Sequence, residues 1–346
     1  MTLHPQRILV VLHGSIGDVT RALPLVNLLR RGFPEATIAW AVEPSAYPLV
    51  EHHTAVDEVI LFDRGRWWKS LAPFLRQIRS KRFDLVLDLQ RHLKSGFISR
   101  WSGAPHRLGF HRRDAKEFNW LFNSHHIPAT GDGVSKLAHY LRFAECLGIE
   151  PGPVVWGLSL TPEEEARVER LLEKVGRDFA VFFVGSRWES KQWFPDRTAR
   201  SAAEVQRRYG LEIMLVGGKE DIPFARDVEN LRPSSVVNRV GQTSLREAVG
   251  ILSRARVSVG PDTGLMHLSA AMGTPVVSLW GATSPTRTGP YGYEDLVIQG
   301  RAACSPCYLR RCPIGRVCMQ SIDEVEVARM VGRALALTVK ANGAQG

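Results

Sequence analysis

Several short stretches of the chain combine the residue types that bind phosphate, take up a proton or hold a metal. The first is His13-Gly14-Ser15-Ile16-Gly17-Asp18, where Gly14 and Gly17 let the backbone approach a ligand closely and a carboxylate follows. Asp18 there either caps the helix it begins or faces a ligand from which it can take a proton. The second, Gly260-Pro261-Asp262-Thr263-Gly264-Leu265-Met266-His267, passes from strand to helix and leaves unsatisfied N–H donors near Thr263 and Gly264. Such a helix start is a ready site for a phosphate. Thr263 and His267 are four residues apart and share a helix face, so His267 is either a core histidine or part of that site. The third stretch, residues 185–191, adds the Ser186 hydroxyl and Lys191 after an apolar run; Lys191 can reach a phosphate as a mobile point charge or remain a solvated loop lysine. Glu220 follows Val216-Gly217-Gly218-Lys219 at a strand end, where a carboxylate can accept hydrogen bonds from a ribose. Finally, Cys304, Cys307, Cys312 and Cys318 are four of the five cysteines. Their spacing could give four thiolates to one structural Zn or Fe ion, or simply four reduced thiols in a surface loop.

The patterns that are missing narrow the chemistry. The first loop is neither the G-x-G-x-x-G of a dinucleotide site nor a phosphate-binding G-x-x-x-x-G-K-[ST] loop. No D-x-D is present, so a paired-carboxylate site for a metal-bound nucleoside diphosphate is not visible; cations and helix ends would have to meet the charge of a diphosphate. A G-x-S-x-G elbow and an H-E-x-x-H helix are also missing, which leaves hydrolase readings without support.

These loops need elements to hold them. Apolar runs beginning at Arg7, Thr37, Val59 and Asp84 read as strands separated by helical or loop segments, and the pattern returns at Phe179, Glu212, Val257 and Val276. Alternation of this kind predicts an α/β protein with parallel sheets, arranged as two doubly wound lobes facing a cleft. The Gly- and Pro-rich residues 148–162 read as the linker, dividing the chain into domains at 1–155 and 156–346. Ligands of open parallel sheets sit beyond the carboxyl ends of the strands, which is where the loops described above fall.

With 346 residues, 44% of them hydrophobic and 23% charged, each lobe can bury a core of its own. The longest stretch free of charge, residues 263–286, is broken by glycines and prolines and does not read as a membrane span. The short polar start before the first strand has no signal-peptide pattern, so a cytoplasmic location is expected. The net charge is +10, and residues 64–113 alone carry thirteen Lys and Arg against two Asp. Within them Trp67, Trp68, Leu71, Phe74, Leu75 and Ile78 recur near helical spacing among cations. That segment is either a surface helix with its apolar stripe toward the core or a landing surface for an anionic glycolipid or membrane. No nucleic-acid-binding module accompanies the charge, so nucleic acid is not expected as a partner.

The G-S-I-G-D-V start, the run from Asp88 to Lys94-Ser95, residues 186–193 and, above all, G-P-D-T-G-L-M-H-L-S-A-A-M-G-T-P-V-V-S-L-W-G-A-T-S-P resemble glycosyltransferase family 9, the ADP-heptose:lipopolysaccharide heptosyltransferases. The resemblance spans about residues 7–330. It implies a GT-B fold, with an N-terminal acceptor-binding and a C-terminal ADP-sugar-binding Rossmann-like domain. The activity it implies is inverting transfer of heptose from ADP-heptose to the inner core of lipopolysaccharide, with no cofactor or metal needed for catalysis. By motif, Asp18 is similar to the family's general base, Ser186 and Lys191 to its diphosphate contacts, and Asp262, Thr263, Gly264 and His267 to its nucleotide-sugar loop. Lys94 resembles a residue of the substrate cleft and Glu220 a ribose-binding acid, with Asp221 adjacent. Such an enzyme works peripherally on the inner face of the cytoplasmic membrane. The alternatives are heptose transfer to a protein or another glycan, and a non-catalytic anion- or sugar-binding protein on the same fold.

Overall fold

The computed structural model describes residues 3–343 except 132, 174, 177 and 232–235, with side chains described to residue 337. The chain forms two compact units that meet in sequence between Ser159 and Leu160. Each is a six-stranded sheet in which every pair of neighbours is parallel.

In the first unit the strands are β1 (Arg7–Val11), β2 (Thr37–Val42), β3 (Glu58–Leu61), β4 (Leu85–Asp88), β5 (His106–Gly109) and β6 (His125–His126), in the spatial order β3-β2-β1-β4-β5-β6. Helices α1 (Ile16–Gly32), α2 (Trp67–Ser80), α3 (Leu93–Trp101) and α4 (Lys136–Cys146) connect or follow them. The second unit has β7 (Phe179–Phe183), β8 (Glu212–Val216), β9 (Val237–Asn238), β10 (Val257–Pro261), β11 (Val276–Trp280) and β12 (Val297–Gln299), ordered β12-β11-β10-β7-β8-β9. Its helices are α5 (Pro162–Leu172), α6 (Pro195–Tyr209), α7 (Ile222–Leu231), α8 (Leu245–Arg254), α9 (Gly264–Ala271), α10 (Pro285–Thr288), α11 (Val317–Gln320) and α12 (Glu324–Gly343).

Counted from its own first strand, each sheet has the order 3-2-1-4-5-6 of a doubly wound fold, so the direction of winding reverses between β1 and β4 and again between β7 and β10. Central strands covered on both faces read as continuous apolar runs, and β1, β7 and β11 are buried along nearly their whole length. Strands β5, β6, β9 and β12 are not anticipated from the sequence. They are two to four residues long and contain polar residues such as His106, His125 and Asn238, so no apolar run marks them.

The basic segment folds as α2 with a divided stripe. Phe74 and Ile78 are buried against the core of the first unit and Leu71 and Leu75 pack partly against it. Trp67 and Trp68 are instead 56% and 63% exposed. In the second unit Thr161 caps α5, and its N3 residue Glu164 bonds back to the Thr161 N–H at 2.9 Å, with Pro162 at the first helical position.

Candidate functional site

The two reversals of winding collect the loops that carry chemistry. At the first, β1 runs through the loop that holds Gly14 into the start of α1, which holds Gly17, and β4 beside it leads to α3. Asp18 lies in the first turn of α1. Its contact with the Ser15 N–H at the cap is long, 3.4 Å, whereas its Oδ1 accepts from Arg21 at 2.6 Å and from Lys136 at 2.7 Å. Capping is therefore the smaller part of its role. Burial works to raise the Asp18 pKa, but Lys136 and Arg21, through charge and hydrogen bonds, override it and hold the carboxyl well below the usual carboxylate range. Arg21 is buried on a helix that is otherwise largely apolar, a placement that requires an acidic partner one turn away. Lys136 arrives from the first turn of α4, whose cap is Ser135. Asp18 is thus fixed as a carboxylate, while its Oδ2 has only long contacts, with the Ser15 N–H at 3.4 Å and the Ser15 hydroxyl at 3.3 Å. Neighbouring His13 is buried against Phe62 and Phe74, and burial, aided by Arg64, pushes its pKa down to about 4. Lys94 stands on the first turn of α3, exposed and without an ion pair among the described residues.

At the second reversal, between β7 and β10, Lys191 and Asp262 meet. The Lys191 amine donates to Asp262 Oδ2 at 2.7 Å and lies 4.6 Å from the centre of the Trp188 ring. The same Asp262 oxygen accepts from the Thr283 hydroxyl at 2.8 Å, so the carboxylate is anchored from two sides. Thr263 occupies the cap position of α9, yet its side chain makes no cap bond and its Oγ1 is buried without a hydrogen-bond partner. The α9 N-terminus therefore keeps its positive end open beside a lysine, the arrangement that receives a phosphate group. Gly264 is the first residue of α9, and His267 lies buried one turn along it. Ser186 lies in the loop after β7, where its carbonyl accepts from the Gln192 side chain at 2.9 Å.

Glu220 and Asp221 follow β8, the strand beside β7, and they behave differently. Asp221 turns inward and accepts from the Gly218 N–H at 2.9 Å, and burial pushes its pKa up to about 6. A Cβ on Gly185, where φ is +77°, would stand 1.7 Å from Asp221 Oδ1, so only glycine fits there. Asp221 thus ties the β8 turn to the β7 turn, whereas Glu220 stays exposed at the strand end.

The four loop cysteines differ in exposure. Cys304 is exposed, Cys307 and Cys312 are half-buried and Cys318 is buried. Among the described residues no group of three or more His, Cys, Asp or Glu is arranged to hold a metal ion. Two of the four have contacts of their own. Cys312 gives its N–H to Glu189 at 3.0 Å and its sulfur accepts from the Arg316 N–H at 3.1 Å, while Cys318 sits in α11 beneath Gly281. The loop holding them docks on the Lys191 turn, where Ser190 bonds the carbonyls of Leu309 and Arg310 at 2.5 and 3.2 Å.

Sequence reasoning does not reach Arg21, Lys136, Thr283 or Trp188. An arginine three residues after Asp18 on one helix face is a usable signal for the first. Lys136 is 118 residues from Asp18, and nothing local marks the pairing.

Two α/β units of this order, each presenting polar loops at its reversal of winding, have the GT-B fold seen in solved heptosyltransferases. The model of glycosyltransferase family 9 (heptosyltransferase) matches residues 71–318, and the chain belongs to that family. It is 31% identical over 319 residues to lipopolysaccharide heptosyltransferase 1 of Pseudomonas aeruginosa, covering 88% of this chain and 87% of the relative. Among solved structures, a family 9 glycosyltransferase from Veillonella parvula superposes with a TM-score of 0.83 at 21% identity, covering 97% of this chain and 99% of the other. The ADP-bound heptosyltransferase WaaC of E. coli gives 0.73 at 24% identity, with 95% and 99% covered. The chain is accordingly a glycosyltransferase.

Proposed function

We propose that this enzyme transfers heptose from ADP-heptose to the inner core of lipopolysaccharide, inverting the anomeric configuration and using no metal in the transfer step. The observation that carries the donor half is the open α9 N-terminus with the unpartnered Thr263 hydroxyl beside Lys191. In this reading the second unit binds the nucleotide sugar. Lys191, Ser186 and the α9 start meet the diphosphate, Glu220 the ribose, and Asp262, Gly264 and His267 complete the loop around the donor. The first unit binds the acceptor, with Gly14 and Gly17 giving close approach and Lys94 meeting acceptor charge.

Asp18 takes the proton from the acceptor hydroxyl as that oxygen bonds to the anomeric carbon, and the bond from that carbon to the ADP oxygen breaks. Lys191 and the helix end stabilise the charge that collects on the leaving diphosphate, the electrostatic work a metal performs in other transferases. The heptose donor and lipopolysaccharide acceptor are supported by family membership and by the names of the relatives, and a lipid-linked acceptor places the work on the cytoplasmic face of the membrane. No described helix is long and apolar enough to cross that membrane.

The test is incubation with ADP-heptose and a set of truncated core lipids, with products identified by mass, with and without chelator. Addition of one heptose unaffected by chelator is expected. Loss of transfer on chelation with recovery on Mg²⁺ would overturn the metal-free step, and no transfer to any core acceptor would overturn the acceptor assignment.

A further inference from the structure

The first unit carries an apolar surface that its own core does not use. Along α3, Leu93, Phe97 and Trp101 follow one another at intervals of four and form a single stripe, 45%, 44% and 45% exposed, while Ser95, Gly96, Ile98 and Ser99 take the buried face. The stripe is held rather than loose. The Trp101 indole N–H donates to the Leu75 carbonyl of α2 at 3.2 Å, and the rings of Phe97 and Trp101 are 5.8 Å apart. Helix α2 lies beside α3 and begins with Trp67 and Trp68, packed edge to face at 6.3 Å. A short 3₁₀ turn over Asn119–Phe122 also packs on α3, and it and the residue before it add exposed Leu121 and Phe118.

Three neighbouring elements thus present large apolar side chains outward, an arrangement that water disfavours unless something covers it. Cations surround them. Lys69, Arg76 and Arg100 are exposed and form no ion pair among the described residues. Exposed aromatic side chains among cations that form no ion pair suit a surface that is apolar below and negatively charged above. That is the interface of an anionic bilayer, where indoles settle at the level of the headgroups.

We propose that α2, α3 and the 3₁₀ turn form a membrane-docking face, with Trp67, Trp68, Phe97 and Trp101 entering the headgroup layer and Lys69, Arg76 and Arg100 held to anionic lipid. This deepens the reading of a lipid-linked acceptor and rests on it for its biological purpose, but its test needs no sugar chemistry.

The full chain is mixed with vesicles of phosphatidylglycerol and phosphatidylethanolamine, or of phosphatidylcholine alone, and the bound fraction is measured by flotation at low and high salt. Wild-type protein is expected to float with the anionic vesicles and to release as salt rises. The Trp67→Ser, Trp68→Ser double variant and the Arg76→Gln, Arg100→Gln double variant should each bind at least roughly tenfold more weakly, since two interfacial anchors or two charges are lost. Transfer to a de-acylated, water-soluble acceptor should remain at the wild-type rate in both, which also shows that they fold. Equal binding to neutral vesicles, no binding to anionic ones, or double variants that bind like wild type would overturn the proposal. Failure of transfer to the soluble acceptor by wild-type protein would instead count against the proposed reaction and leave the vesicle result standing.

Discussion

Asp18 is a carboxylate with two cations on one oxygen, and this sets what a change at either partner should do. Asp18→Asn keeps the size and removes the base; turnover should fall by roughly 10² to 10⁴-fold while ADP, held in the proposal by the second unit, binds nearly as before. Single-turnover transfer together with ADP titration checks both halves, and transfer within tenfold of wild type would remove Asp18 from the role. Lys136→Met tests the electrostatics. Because Lys136 helps hold the Asp18 pKa below its ordinary value, its removal lets that pKa rise, so the acid limb of kcat/KM should move to higher pH. A depressed carboxylate pKa stabilises the fold above the unfolded-state value and loses that contribution as pH falls through the folded-state value. The stability deficit of Lys136→Met should accordingly be present at neutral pH and shrink in acid. An unmoved acid limb would mean that another group sets it. The sequence displays Asp18 and both glycines openly, but not the partner that tunes the carboxylate, since Lys136 joins it only through the packing of α4 on α1.

At the scale of elements, the helix that opens the second unit is secured by a buried ion pair. Glu164 of α5 receives two bonds from the Arg246 guanidinium of α8, at 3.0 and 2.7 Å, and both side chains are 8% exposed. Glu164 also closes the α5 capping box, so one carboxylate serves the cap and the helix pair together. Arg246→Ala should destabilise the protein by about 3–5 kcal/mol, because it takes the guanidinium away from a buried carboxylate. A chemical-denaturation midpoint close to wild type would show the pair to be dispensable. The Thr161-Pro162-Glu163-Glu164 start of α5 is plain in the sequence, as are the long central strands with their apolar runs. The edge strands are not, because a four-residue strand such as β5, with His106 and Arg107 in it, is fixed by its neighbours rather than by its own pattern. The cysteine spacing does not by itself set the direction in which each thiol points; the loop's hydrogen bonds to Glu189 and Ser190, distant in sequence, help to fix its course.

At the scale of the whole molecule, the sheet order governs how the chain is held together through time. In the first unit β1 is made early but gains β4 as its second neighbour only much later; the Arg7 N–H is bonded to Asp84 across 77 residues. The second unit repeats the arrangement, with Ala180 of β7 registered against Val257 of β10. These are the longest-range strand pairings in their sheets, so closing them costs the most chain entropy. They are also the seams at which the site loops emerge. A nucleotide diphosphate held by Lys191 on one side and the start of α9 on the other would staple the β7–β10 seam, and its binding energy would appear as resistance of that seam to opening. Amide hydrogen exchange with and without ADP should therefore slow most in β7 and β10, less in β8 and β11, and not at all in β1 and β4. Uniform protection across both sheets would show that the nucleotide acts elsewhere. In each unit, the place where the substrates are proposed to meet the chain is the place where distant parts of the chain are joined, so occupancy by substrate doubles as a brake on unravelling.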